Sequence, residues 1–386
     1  MTMRQQYDVI VVGAGSMGMS AGYELARRGL KTLLIDAFDP PHAMGSHHGE
    51  PRLIRHAYSG GPTYVKLALR ADERWRELEA ATGEKLLERS GVLNIADPNV
   101  YSYEGRFPDA ANYGVRIEDL TARDIRERWP GVVVPDHYRA MFEPDAGYLY
   151  SEKCITAYRK LAVEAGARLL TNTFVTGIRP EKAFVTVTTG EESYIADQVV
   201  LTAGAWYRSF ASLIDVPVRA VRKVVGWFRP ENDSFDAGSF PGFTYGDASG
   251  GYYGFPSIGG AGVKIGRHDG GVPWQPGEPL EPFGAYPDDE ADLRAALEAF
   301  LPGAAGELIR GVACKYEITP DEDFLIDAHP EHPNVLLAGG FSGHGFKFAS
   351  AVGELLADRI ELGSWGRDID LFSLSRFSPT KSTNSL

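Results

Sequence analysis

The chain has 386 residues, 44% hydrophobic and 24% charged, enough apolar material for about two to three domain-sized units with full cores. A formal net charge of −13 argues against nucleic acid or an anionic membrane as partner, because phosphate binding needs clustered Lys and Arg. Only two cysteines, Cys154 and Cys314, and no apolar stretch of membrane-spanning length point to a globular protein of a reducing compartment, with the cytoplasm as expected location and the apolar start read as a strand, not a signal peptide.

The first predicted element is an apolar strand at residues 9–12, followed by Gly13-Ala-Gly15-Ser-Met-Gly18, a small-residue helix over 17–28 stopped at Gly29, and a second strand over 32–35 that ends in Asp36. Strand, glycine turn, helix and acid in this order make a dinucleotide site. Gly13 allows the tight turn, Gly15 lets the backbone approach a pyrophosphate, and Gly18 lets the helix pack on the strand. The helix N-terminus offers free N–H groups to the phosphates, and Asp36, 18 residues beyond Gly18, can accept both ribose hydroxyls of an adenosine. The motif does not separate NAD from FAD.

Residues 64–81 read as a long amphipathic helix with Trp75 and Leu78 on one face; Ser151 caps a second helix ending at Glu164, and residues 288–301 form a third. Strands are expected at 91–95, 168–178, 184–188 and 198–202, the last running into Ala203-Gly204-Ala205-Trp206. A late strand at 334–338 meets Gly339-Gly-Phe-Ser-Gly343-His-Gly345 and a helix over 346–362. This second strand, glycine loop and helix suggest that the C-terminal segment returns to complete the cofactor site. A helix N-terminus suits a developing anion, and an isoalloxazine gains negative charge on reduction where a nicotinamide gains none, which favours FAD; a glycine loop before a packing helix is the other reading. With no repeat and no Pro/Ser-rich linker, a second domain must be woven into the first by chain crossings.

The segment Gly45-Ser-His47-His48-Gly-Glu-Pro51-Arg52-Leu-Ile-Arg55-His56-Ala-Tyr58 concentrates cationic side chains in an acidic protein. Charge runs usually form solvated faces, but the glycines and the place just after the second strand put this one in a loop near the cofactor. Arginine suits carboxylate recognition through paired hydrogen bonds. Cys154, inside a helix, reads as a small buried hydrophobe.

With these segments, Asp36-Ala-Phe-Asp-Pro-Pro41, Arg128-Trp-Pro-Gly131, Tyr252-Tyr-Gly-Phe-Pro256, Lys264-Ile-Gly-Arg-His268, Cys314-Lys-Tyr316, Pro320-Asp-Glu-Asp-Phe-Leu-Ile-Asp327 and Phe341-Ser-Gly-His-Gly-Phe-Lys-Phe348 complete a pattern over essentially the whole chain. The chain resembles the monomeric sarcosine oxidase and N-methyltryptophan oxidase family of amine-oxidising flavoproteins, related to D-amino-acid oxidase. The resemblance implies FAD attached through a thioether at Cys314, with Gly13, Gly15, Gly18, Asp36, His48, Arg52, Gly343, Gly345 and Lys347 on the cofactor. It implies that Arg55 and Lys347 clamp the substrate carboxylate, that Lys264 sits by flavin N5 and favours reduction of oxygen, and that Arg52 and His48 tune flavin charge and coupling. His268 and Tyr316 match substrate-side residues, and a hydrogen-bonded histidine inside the fold is the other reading of His268.

The implied reaction takes a hydride equivalent from the N-methyl carbon of a neutral secondary amine, and with sarcosine gives glycine, formaldehyde and hydrogen peroxide. The implied partners are that small secondary amine and O2, and the implied state is a monomer. The expected fold class is α/β, a doubly wound FAD-binding domain (residues 1–86, 147–218 and 322–386) and a mixed-sheet catalytic domain (87–146 and 219–321). Two departures bear on specificity. Pro51 replaces a threonine before Arg52, and Thr244 stands where the sarcosine enzymes carry methionine and the tryptophan-type enzyme threonine, which would widen the pocket. An N-methyltryptophan oxidase, another secondary-amine oxidase of this fold, a non-catalytic flavin-binding protein and an NAD-dependent dehydrogenase are the alternatives. The final Asn384-Ser385-Leu386 misses a peroxisomal address.

Overall fold

The computed structural model describes residues 6–190 and 192–377; the C-terminal tripeptide lies outside them. The opening strand, Gln6–Val12, is buried on both faces, as its unbroken apolar run requires in a parallel sheet. It pairs in parallel with Thr32–Ile35 on one side and with Ser193–Leu201 on the other. Arg168–Leu170 extends the sheet beyond Thr32–Ile35. The far edge of Ser193–Leu201 is shared: its first half pairs with the antiparallel Val185–Thr189, its second half in parallel with Val335–Gly339. Three separated stretches of chain thus build one eight-stranded sheet.

A second, nine-stranded sheet holds Val92–Ala96, Glu118–Thr121, Arg139–Glu143 and the strands between Arg219 and Ile318. It is mixed, because Val92–Ala96 runs parallel to Gly242–Asp247 while its other pairings are antiparallel. A small three-stranded sheet, Arg52–Ile54, Leu87–Glu88 and Gly147–Leu149, sits where the chain passes between the two. The class is the expected mixed α/β.

Small residues set the helix packing. A Cβ on Gly22 of the helix Ser16–Arg27 would meet Leu34 at 2.5 Å, and one on Gly353 of Ala349–Leu362 would meet Ser20 Oγ at 2.2 Å. Glu24, fully buried between these helices, is neutralised by Arg27, Arg28 and Arg74 of the long helix Pro62–Thr82.

The short helices Phe107–Asn112 and Ala122–Arg128 were not expected, and two expected features differ. The strand expected over 168–178 is broken into Arg168–Leu170 and Val175–Pro180, because Asn172 N–H and Thr173 N–H leave the sheet to bond Phe38 O and Asp36 O around the acidic turn. Ser151 is not a cap: the helix Ser151–Glu164 is preceded by Tyr150, and the Ser151 hydroxyl donates instead to His47 O at 2.9 Å, tying the helix to the cationic loop. Among the described residues no helix is long and apolar enough to cross a membrane.

Candidate active site

One long cleft runs from the glycine turn of the first sheet to the face of the second. At the turn, Gly13 has φ +93°, and a Cβ on Gly18 would fall 1.8 Å from Gly13 O, so both positions need glycine. The helix begins behind Gly15 with no side-chain cap and no acid in its first turn, which leaves its N–H groups facing the cleft. Asp36 accepts from Ala14 N–H at 2.7 Å and Phe38 N–H at 2.9 Å, and His42 Nε2 lies 3.1 Å away. A turn without side chains, a helix N-terminus and an adjoining carboxylate fit a dinucleotide's pyrophosphate and ribose.

The cationic loop is organised by its own carbonyls. Arg52 spends both Nη groups on Gly49 O (2.7 Å), Pro51 O (2.9 Å), Ser46 O (2.9 Å) and His48 O (2.6 Å). Lys264, 1% exposed, approaches the loop from the second sheet and donates to Gly49 O and Pro51 O at 2.6 and 3.2 Å. Its Nζ lies 4.8 Å from the Phe255 ring, and burial, then Arg52, pushes its pKa well down. His48 pairs with Glu152 at 3.2 Å, and Glu152 also accepts Gly49 N–H, so that its carboxyl is held at about 2 although burial opposes this. Burial, then His42 and Arg52, lowers His47 to about 3.

At the other end, Arg55 donates to Asn94 Oδ1 at 2.8 Å, and Thr244 donates to the same atom at 3.0 Å from the neighbouring strand. Lys347 donates to Tyr58 OH at 3.1 Å and His344 O at 2.8 Å; burial, then Arg55 and Arg106, lowers its pKa well below the lysine range. His268 stands 5.9 Å from the Tyr316 ring, and burial, then Lys223, Arg55 and Lys347, lowers it to about 4, leaving a neutral imidazole at pH 7. Tyr316 donates to Tyr253 OH at 3.2 Å. Gly343 has φ +77° and no room for a Cβ, which would come within 2.1 Å of Tyr316.

Of the residues singled out from sequence, Gly13, Gly15, Asp36, Arg52, Arg55, Thr244, His268, Tyr316, Gly343, Gly345 and Lys347 line this one cleft. Gly18, His48, Lys264 and Cys314 do not line it. Gly18 packs under the turn, and Cys314, buried, lies two residues from Tyr316 on the same strand face. Sequence reading missed Asn94, Arg106, Tyr253 and Glu317. Asn94 left a signal, a fully buried polar residue inside an apolar strand.

Residues 8–359 match the family model described as FAD dependent oxidoreductase. Among curated proteins, the chain is 48% identical to a monomeric sarcosine oxidase of Bacillus sp. (strain B-0618), over 97% of each chain. It is 44% identical to an N-methyl-L-tryptophan oxidase of Yersinia pestis (strain Pestoides F), over 96% of this chain and 99% of that one. Among solved structures, L-proline dehydrogenase from P. horikoshii superposes with a TM-score of 0.86 at 22% identity, over 97% of this chain and 98% of that one, which speaks for the fold.

Proposed function

The chain belongs to the FAD dependent oxidoreductase family, and from that premise we propose that it oxidises sarcosine and related N-methyl amino acids to the demethylated amino acid, formaldehyde and hydrogen peroxide. Membership carries FAD as the cofactor and closes the choice that the glycine motif left open. When bound, FAD supplies a two-electron acceptor that O2 restores. In balance, the methyl carbon gives up two electrons, O2 takes them as peroxide, and water supplies the oxygen of formaldehyde.

The observation that carries the reading is the cation pair Arg55 and Lys347 in the cleft that also holds the glycine turn and Asp36. A carboxylate between them would be oriented by paired hydrogen bonds and would draw Lys347 back to its charged form. His268, neutral at pH 7, stands near the amine as an uncharged hydrogen-bonding group, and the amine loses its ammonium proton before it reacts, with no dedicated base required. Lys264 gains charge as negative charge develops beside it and so favours the reduction of O2. Replacing Lys347 by methionine should raise KM for sarcosine about tenfold or more while FAD stays bound; an unchanged KM would remove it from the clamp.

Attachment of FAD through Cys314 is part of the proposal. Burial pushes this thiol up, but Arg52, Lys264, Lys223 and Lys315 all favour the thiolate. Acid-precipitated protein should therefore stay yellow, and Cys314→Ala should release the colour. The relatives' description as monomeric supports a monomer, and we read it as cytoplasmic, with the two large sheets as the cores of an FAD domain and a catalytic domain. The test is oxygen uptake with sarcosine and N-methyl-L-tryptophan in parallel, with formaldehyde formed in step. Uptake supports the reading, and the larger kcat/KM tells how Thr244 shapes the pocket; no uptake with any N-methyl amino acid overturns it.

A further inference from the structure

Arg106 follows a segment with no clear periodicity and sits at the substrate end of the cleft. It is 5% exposed, yet among the described residues it meets no carboxylate. Its Nη2 donates to Tyr101 OH at 2.6 Å, its guanidinium lies 4.9 Å from the Tyr103 ring, and its Nε and Nη1 have no partner. Other buried arginines here are neutralised: Arg74 meets Glu24, and Arg222 meets Asp289 at 2.7 Å. An uncompensated guanidinium out of water is costly, and stacking on tyrosine returns only a small part of that cost.

Arg106 also stands beside basic side chains that lack a counter-charge. Arg55 keeps an unpartnered Nε, and Lys347 contacts only neutral groups. Tyr103 OH lies 3.4 Å from Thr244 Oγ1, whose partner Asn94 holds Arg55, so that Arg106 and Arg55 share one wall of the cleft. One substrate carboxylate answers Arg55 and Lys347 and leaves Arg106 unanswered.

We propose that Arg106 receives a second carboxylate, and that the preferred substrates are N-methyl amino dicarboxylic acids. This rests on the oxidase reading above and adds a specificity residue to it. The main chain carboxylate takes the Arg55 and Lys347 clamp. The side-chain carboxylate takes the free donors of Arg106, below the exposed Tyr101 at the cleft mouth.

The experiment compares holoenzyme kcat/KM for N-methylaspartate, N-methylglutamate, N-methylalanine, sarcosine and N-methyl-L-tryptophan. The wild type should favour at least one dicarboxylic substrate over N-methylalanine by about tenfold or more. Arg106→Gln should collapse that ratio, with Arg106→Lys retaining part of it. A second readout needs no turnover: calorimetric titration of the holoenzyme should show succinate binding about tenfold tighter than propionate in wild type and not in Arg106→Gln. Equal or better turnover of sarcosine, N-methylalanine or N-methyl-L-tryptophan, or a ratio unchanged by Arg106→Gln, overturns the proposal and leaves the oxidase reading standing. Tight succinate binding that depends on Arg106, with no N-methyl amino acid oxidised, supports the second anion site and overturns the oxidase reading instead.

Discussion

Glu317 lines the cleft next to Gly204 with its Oε2 unpartnered, and burial pushes its carboxyl up to about 8 from an ordinary 4.5. The folded chain therefore holds a proton there that the unfolded chain releases. Between those two values the folded state binds more protons, so this residue lowers stability as pH rises from 4.5 through 8. Glu317→Gln should remove that slope, seen as a flatter dependence of holoenzyme melting temperature on pH; parallel curves for the two proteins would show that the carboxyl is already ionised. Nothing in the sequence around Glu317 distinguishes it from a solvated glutamate on an edge strand. Arg55 and Lys347, singled out through the family resemblance of the segments that hold them, do line the cleft. Asn94 and Thr244 face each other only through the parallel pairing of their strands, 150 positions apart in sequence, and Arg106 is defined by what it fails to meet. Such relations are properties of the folded neighbourhood.

Between elements, the cationic loop is fixed to the second sheet by one buried carboxylate. Glu143, the last residue of Arg139–Glu143, accepts His56 Nδ1 at 2.5 Å, His56 N–H at 2.7 Å and Ala57 N–H at 3.1 Å, while Asp72 of the long helix stands 3.5 Å from His56 Nε2. Burial opposes charge on His56, but the two acids prevail and raise it to about 9 from 6.5. The sign is that of a raised base: its contribution is complete below pH 6.5 and is lost as pH rises through 9. By the size of the shift it is worth about 3 kcal/mol. His56→Gln should destabilise the protein by that order at pH 6 and far less at pH 9.5, read from denaturant midpoints; an equal loss at both would mean that shape, not charge, is what the pair contributes. The five longer helices were legible to within a few residues because apolar spacing fixes them, whereas the short Phe107–Asn112 and Ala122–Arg128 were not. The break in the strand after Leu170 was not, because residues 171–174 give up sheet pairing to close over Asp36, a gain that no local preference records.

At the scale of the whole molecule, the charge of −13 is distributed against the cleft. The cleft-lining Arg52, Arg55 and Arg106 make no ion pair among the described residues, whereas the exterior carries many paired carboxylates. Composition argues for an acidic exterior, but an average over the chain conceals a small focus of the opposite sign. The fold collects that focus from separate stretches, since Arg52 and Arg55 come from the loop after the first strands and Arg106 from the short turn Glu104–Arg106. A cationic pocket in low-dielectric walls concentrates field lines at its mouth and steers small anions inward against the repulsion of the surface. Salt screens the outer part of that field over a Debye length of about 10 Å at 0.1 M, while contacts within the cleft are screened much less. Sarcosine is a zwitterion without net charge at neutral pH, whereas a dicarboxylic N-methyl amino acid carries one net negative charge, so raising ionic strength should lower kcat/KM severalfold for the dicarboxylic substrate with kcat little changed, and far less for sarcosine. Oxygen-electrode rates across a salt series measure this directly. A salt-independent kcat/KM for both would mean that the acidic exterior cancels the focus before a substrate reaches it, and that the clamp acts only at contact.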